Sequence, residues 1–226
     1  MGGFVSEHAN IGELRSLLRD NAGSLKVAID VDNTIAMVIP VWFEIASRAT
    51  GKLFVPEHHA SYDFKDIGST YEEMLPHYVT AWRDYHNQIP FSGNVGHIEE
   101  LANHYVVHLL TTRSPDDNGL TGGTVPAMRE WLRIQGLGKV PVETCDPSIS
   151  KVTFDYHVYI DDSPSLALEI AETPGKFILL VDHKFNERVP NSSRVLHVAN
   201  SEKATRILLD LTWENTHIAK RGRNKV

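Results

Sequence analysis

The chain predicts an α/β fold: a doubly wound, three-layer parallel sheet with a small helical cap inserted after the first strand. Three observations predict it. Short β-branched and apolar runs alternate with amphipathic stretches of helical length; acidic or hydroxyl residues stand directly after several of those runs; and one stretch, residues 37–90, carries helical patterning with no strand. Strands separated by helices of this length pair in parallel through right-handed crossovers. Ligands of such sheets sit outside the carboxyl ends of the strands, so polar residues placed there are the candidates for function.

The elements follow in order. Residues up to Asp20 mix charged and apolar residues at helical spacing. Leu25–Asp30 (LKVAID) is a short apolar run bounded by Gly23 and Ser24, and reads as a buried strand. Val41–Thr50, ended by Gly51, and Tyr71–His86 read as the helices of the insertion, which contains nine of the nineteen aromatic residues and so has the means to pack a core of its own. A helix over Val95–Asn103 leads into a strand over Tyr105–Leu110, and a helix over Val125–Ile134 stops near Gly136. Val142–Thr144, Tyr156–Ile160, Phe177–Val181 and Val195–Val198 complete the strands. A helix opens near Pro164, and a last one spans Glu202–Trp213. The division expected is a core domain formed by residues 1–36 and 91–226, with residues 37–90 as the cap.

At 226 residues the chain suits one α/β body with an insertion rather than two full domains. With 42% hydrophobic and 23% charged residues it is an ordinary globular composition. No run of about twenty apolar residues suits a membrane span, and the amino terminus lacks the pattern of an export signal. The single cysteine, Cys145, cannot close an internal disulfide, and the expected location is the cytoplasm. A formal charge of −7 argues against a general nucleic-acid partner, because counterion release needs a basic face. The exception is a basic cluster at the end of the chain, Lys220, Arg221, Arg223 and Lys225, read as a solvated terminus. Exposed aromatic residues of the cap offer a face for a homodimer.

Three strand ends carry the chemistry. The first ends in Asp30-Val31-Asp32-Asn33-Thr34, the second in Thr111-Thr112-Arg113, and the strand ending at Ile160 is followed by Asp161-Asp162, with Lys151 ahead of it. Asp30, Asp32 and Asp161 would converge at one edge of the sheet, where their mutual repulsion is costly unless a cation neutralises it. Magnesium suits such a site, since it is commonly held by one or two carboxylates plus waters and substrate phosphate. An aspartate after a strand is often only a helix cap, and Asp161-Asp162-Ser163-Pro164 would serve as one. Capping alone gives no reason for the whole set to occur in this order.

The segments DVDNT (Asp30–Thr34), TTR (Thr111–Arg113), Lys151 and IDD (Ile160–Asp162) resemble the four ordered motifs of the haloacid dehalogenase superfamily, across a span from about Leu25 to Val198. Within it, the lysine ten positions before Asp161 and a helical cap after the first motif are similar to the 5′(3′)-deoxyribonucleotidases and their microbial relatives. Two positions differ from that group: Asn33 stands where it usually has glycine, and Arg113 interrupts its usual Thr-Ser-Pro.

The resemblance implies an aspartyl-phosphate mechanism. Asp30 would attack phosphorus. Asp32, returned to the same side by two residues of extended backbone, would protonate the leaving oxygen and then activate water. Asp30 and Asp161 would hold Mg²⁺ through carboxylates, Asp32 through its carbonyl, and Asp162 would support them from outside the ligand set. Thr111 and Lys151 would stabilise the phosphoryl oxygens. Thr112 and Arg113 would touch the rest of the substrate, and Thr34 would fix the loop beside it. The partner implied is a small-molecule phosphomonoester, with a nucleoside or deoxynucleoside monophosphate as the leading substrate. Two alternatives stand beside it: a phosphatase of another small metabolite such as a sugar phosphate, and a non-catalytic nucleotide- or nucleic-acid-binding protein.

Overall fold

A computed structural model describes residues 7–113 and 122–223, with side chains from 11 to 215 within those ranges. The side chains of Lys220, Arg221, Arg223 and Lys225 lie outside the described residues. Among the described residues, six strands form one sheet: β1 (Lys26–Ile29), β2 (Val106–Thr112), β3 (Val142–Cys145), β4 (Val158–Asp161), β5 (Phe177–Val181) and β6 (Val195–Val198). Their order is β3-β2-β1-β4-β5-β6, and every neighbouring pair is parallel. The predicted α/β parallel sheet is the observed one. The strand order reverses direction beside β1, the position at which open parallel sheets bind ligands.

Among the described residues, seven α-helices accompany the sheet: α1 (Glu7–Asp20), α2 (Val38–Thr50), α3 (Tyr71–Tyr85), α4 (Val95–His104), α5 (Thr124–Ile134), α6 (Pro164–Ala171) and α7 (Ser201–Arg223). The alternation of side chains along a strand divides the core in two. Val27 and Ile29 of β1 join Leu14, Ile98, Leu101, Met128 and Leu208 from α1, α4, α5 and α7 on one face. Ala28 of the same strand, with Leu110 and Tyr159, meets Leu166, Ala167 and Ile170 of α6 on the other. Among the described residues the layers are therefore unequal: α1, α4, α5 and α7 lie on the first face and α6 on the second.

Between β1 and β2 the chain forms α2 and α3 joined by irregular backbone with two short 3-10 turns. The helix α2 starts three residues before the predicted Val41, since Pro40 falls in its first turn, where a missing N–H breaks no intrahelical bond. It ends at Gly51 in the left-handed conformation, φ 71°. Thr70 and Glu73 form a capping box at the start of α3. The chain enters and leaves this segment through a two-stranded neck: Ala36 pairs antiparallel with Phe91, Met37 N–H donates to the Pro90 carbonyl at 2.9 Å, and Ser92 N–H donates to Ile35 at 2.8 Å. Trp82 of α3 packs edge-on against Trp131 of α5, with ring centroids 5.9 Å apart, so the inserted helices share the larger core. The last helix runs ten residues past the predicted Trp213, because the polar stretch that follows contains no glycine or proline before Gly222. Among the described residues, no helix is long and apolar enough to cross a membrane.

Candidate active site

Asp30 follows β1 directly, and its N–H donates to the Ile160 carbonyl at 2.8 Å, which fixes the end of β1 against β4. Asp161 is the last residue of β4, and Asp162 follows it. One carboxylate oxygen from each of Asp30, Asp161 and Asp162 falls within 4.8 Å of the others, and all three residues are buried. The Lys151 ammonium bridges two of them, 2.6 Å from Asp30 Oδ1 and 2.7 Å from Asp161 Oδ2. Lys151 opens a 3-10 turn capped by the Ser150 hydroxyl, and the Tyr159 hydroxyl of β4 holds that turn by donating to the carbonyls of Lys151 and Phe154, 3.1 Å each. The side-chain amide of the fully buried Asn186 donates to the backbone carbonyls of Asp162 and Val181, 2.8 Å each, tying the second aspartate to the end of β5.

These groups sit under strong mutual constraint. Burial, opposed by Lys151 and reinforced by Asp161 and Asp32, carries the Asp30 carboxyl from an ordinary 3.8 to about 7. Burial and the neighbouring carboxylates Asp30 and Asp161 push Asp162 well above its ordinary value. Three buried carboxylates with one ammonium between them cannot all ionise without further positive charge. A buried donor set made only of carboxylate oxygen fits a hard divalent cation. The cluster differs from expectation in its third carboxylate, which is that of Asp162 and not that of Asp32.

Asp32 faces elsewhere. Its carboxylate accepts from Trp82 Nε1 at 2.8 Å, from Arg113 Nη2 at 3.1 Å on Oδ1 and 2.9 Å on Oδ2, and from the Thr111 hydroxyl at 3.3 Å. Arg113, expected at the substrate, is wholly buried. Its guanidinium lies 4.8 Å from the Trp82 ring centre and 6.0 Å from that of Tyr78, and it also donates to the Thr111 hydroxyl. Thr34 is buried as well, and its hydroxyl has no hydrogen-bond partner.

A cavity of about 550 Å³ opens above the carboxylates. Asp30, Asp32, Lys151, Asp161 and Asp162 line it, as does Thr112; Thr34, Thr111 and Arg113 do not. The opposite wall comes from the inserted helices and their connection, with Trp42, His59, Phe64 and Tyr78 deep and Tyr62 and Tyr71 at the half-exposed mouth. The His59 ring stacks on Phe64, centroids 4.5 Å apart, and burial lowers its pKa, with Asp66 opposing. Among the described lining residues Lys151 is the only lysine or arginine.

The loop after the nucleophile position explains one departure from the resembling group. Asn33 has φ 55°, in the left-handed region that glycine enters freely and asparagine better than most. Its side-chain oxygen accepts from Ile39 N–H at 3.2 Å, and its backbone carbonyl is 2.7 Å from Nε2 of His183. Sequence reasoning missed His183 and Asn186, and took Trp82 for a cap core aromatic without its bond to Asp32. The glycine position of the resembling motif signals the φ at Asn33, but nothing local signals the other three.

No family model matches the chain, and no curated protein matches it. Solved structures do. A haloacid dehalogenase-like family hydrolase from Streptococcus pneumoniae superposes with a TM-score of 0.54 at 13% identity, over 84% of this chain and 98% of that one. A protein of Thermotoga maritima described as a candidate β-phosphoglucomutase gives 0.52 at 16%, over 82% and 99%. A haloacid dehalogenase-type hydrolase from Bacillus subtilis, described as bound to magnesium, gives 0.51 at 12%, over 82% and 98%. At these identities the likeness is one of architecture. The chain has the fold of the haloacid dehalogenase-like hydrolases.

Proposed function

We propose that the protein is a magnesium-dependent phosphomonoesterase acting through an aspartyl-phosphate. The observation that carries this reading is the meeting of Asp30, Asp161 and Asp162 within 4.8 Å on a cavity floor, with Lys151 bridging two of them. Asp30, Asp161 and Asp162 are the residues that would hold Mg²⁺, and the ion would supply positive charge to the carboxylates and the incoming phosphoryl oxygens. An Asp30 oxygen attacks phosphorus as the bond to the leaving oxygen breaks, and that oxygen takes a proton from Asp32. Asp32, now a carboxylate, takes a proton from water; the water oxygen attacks phosphorus, releasing phosphate and restoring Asp30. Lys151 offsets charge through both steps, and Thr112 touches the substrate. Residues 37–90 act as the cap that closes the reaction from water.

With Lys151 engaged by two aspartates, the cavity offers no free lysine or arginine among its described lining to a second anionic group. The alcohol released is therefore uncharged. A sugar phosphate is the reading we place first, in keeping with the architecture shared with the candidate β-phosphoglucomutase of Thermotoga maritima. A nucleoside monophosphate is the second, favoured by the aromatic wall of the cavity. A panel of sugar phosphates and nucleoside monophosphates assayed with magnesium separates them by kcat/KM. Absence of turnover across the panel, with and without magnesium, would remove the phosphatase reading.

A further inference from the structure

The inserted helices reach Asp32 both directly, through Trp82, and through one fully buried cation. Arg113 stands just beyond β2, with Asp32 beside β1 and Trp82 on α3, and its guanidinium joins all three elements. Burying a guanidinium costs several kcal/mol unless its donors are matched. Here Nη2 contacts both oxygens of one carboxylate and Nη1 the Thr111 hydroxyl, Trp82 covers its face, and Nε alone has no hydrogen-bond partner. The same indole donates its own N–H to Asp32 Oδ1 at 2.8 Å. Four donor contacts from three residues therefore fix the carboxylate plane, and the 21% of the Asp32 side chain left exposed borders the cavity.

We infer that Arg113 and Trp82 are positioning residues that aim the Asp32 carboxylate at the leaving oxygen, making proton delivery depend on α3 lying in place. The inference rests on the hydrolytic reading above. It assigns Arg113 no contact with substrate, in contrast to the place its motif position suggests. Lysine would not replace it, because a point charge lacks the planar group whose two terminal nitrogens reach Asp32 and the Thr111 hydroxyl at once while its face lies on Trp82.

The test uses two aryl esters of similar shape. 4-Nitrophenolate departs with little need of a proton, whereas phenol, with a pKa of about 10, needs one. The parameter is kcat/KM, which includes expulsion of the leaving group and excludes later breakdown of the aspartyl-phosphate. Arg113→Met should lower kcat/KM for phenyl phosphate by about 10²-fold, the low end of general-acid contributions, and that for 4-nitrophenyl phosphate by less than about threefold. Trp82→Phe keeps an aromatic ring in place of the indole and removes the N–H, and should bias the two esters in the same direction by a smaller factor. It carries the test if Arg113→Met fails to fold. Equal losses on both esters, or no loss on either, would overturn the positioning role alone. Wild-type protein that cleaves neither ester would overturn the hydrolytic reading and this assignment with it.

Discussion

Replacing Asp30 by asparagine deletes a charge that the folded chain holds at a cost. Burial carries this carboxyl from 3.8 to about 7, so folding without a bound cation favours its protonated form. Stability from this group is then complete below about pH 4 and is lost at about 1.4 kcal/mol per pH unit until about pH 7. Across that interval the loss is on the order of 4 kcal/mol. Lys151 keeps Asp161 as a partner in the variant, so the substitution strands no ammonium. In chelator at pH 8, Asp30→Asn should melt above the unaltered protein. For a chain of this size about 2–4 °C accompanies each kcal/mol, giving an upper bound of about 8–16 °C. At pH 5 most of the advantage should vanish. Magnesium should raise the melting temperature of the unaltered protein and leave the variant nearly unchanged. Scanning calorimetry at both pH values, with and without magnesium, checks this. A variant less stable than its parent at pH 8 in chelator, or a gap that stays the same at pH 5, would refute the reasoning.

Asp32→Asn should lower kcat/KM for a poor leaving group by about 10²–10⁴-fold, measured by phosphate release; retention of full rate would exclude the proton-transfer role. Asn33→Ala places a Cβ without a local hydrogen-bonding oxygen at φ 55°, and should cost about 1–2 kcal/mol by denaturant titration. Asn33→Gly should cost less. Asn186→Ala leaves the carbonyls of Asp162 and Val181 without their amide donor, a loss of about 2–4 kcal/mol, and should weaken magnesium binding measured by calorimetry.

Much of the fold is legible in the chain because its strands are short, apolar and bounded by turn residues; Phe177–Val181 and Val195–Val198 appear with the limits their sequence suggests. Strand ends are less legible. Thr111 and Thr112 belong to β2 through pairing with Thr144 and Cys145, which lie far along the chain. The meeting of Asp30, Lys151 and Asp161 follows from parallel strands ending at one edge. The inward placement of Asp162 does not, since adjacent residues of a strand point to opposite faces; β4 ends at Asp161, and beyond it Asn186 holds the Asp162 carbonyl where both aspartates meet the cluster. The pairing of Arg113 with Asp32 spans 81 positions and has no local pattern. His59 and Tyr62 lie in irregular backbone, where no periodicity indicates which side chains face inward.

The paired entrance and exit at Ala36 and Phe91 separate two kinds of inheritance. Because the polypeptide departs and returns at adjoining points, substitutions, lengthening or exchange of what lies between them can be absorbed without dragging the segment that bears Asp30. Selectivity can thus drift with the inserted helices while the reaction stays with the sheet. Trp82 marks the limit of that freedom: any replacement helix must still offer a donor to Asp32 and a ring to Trp131.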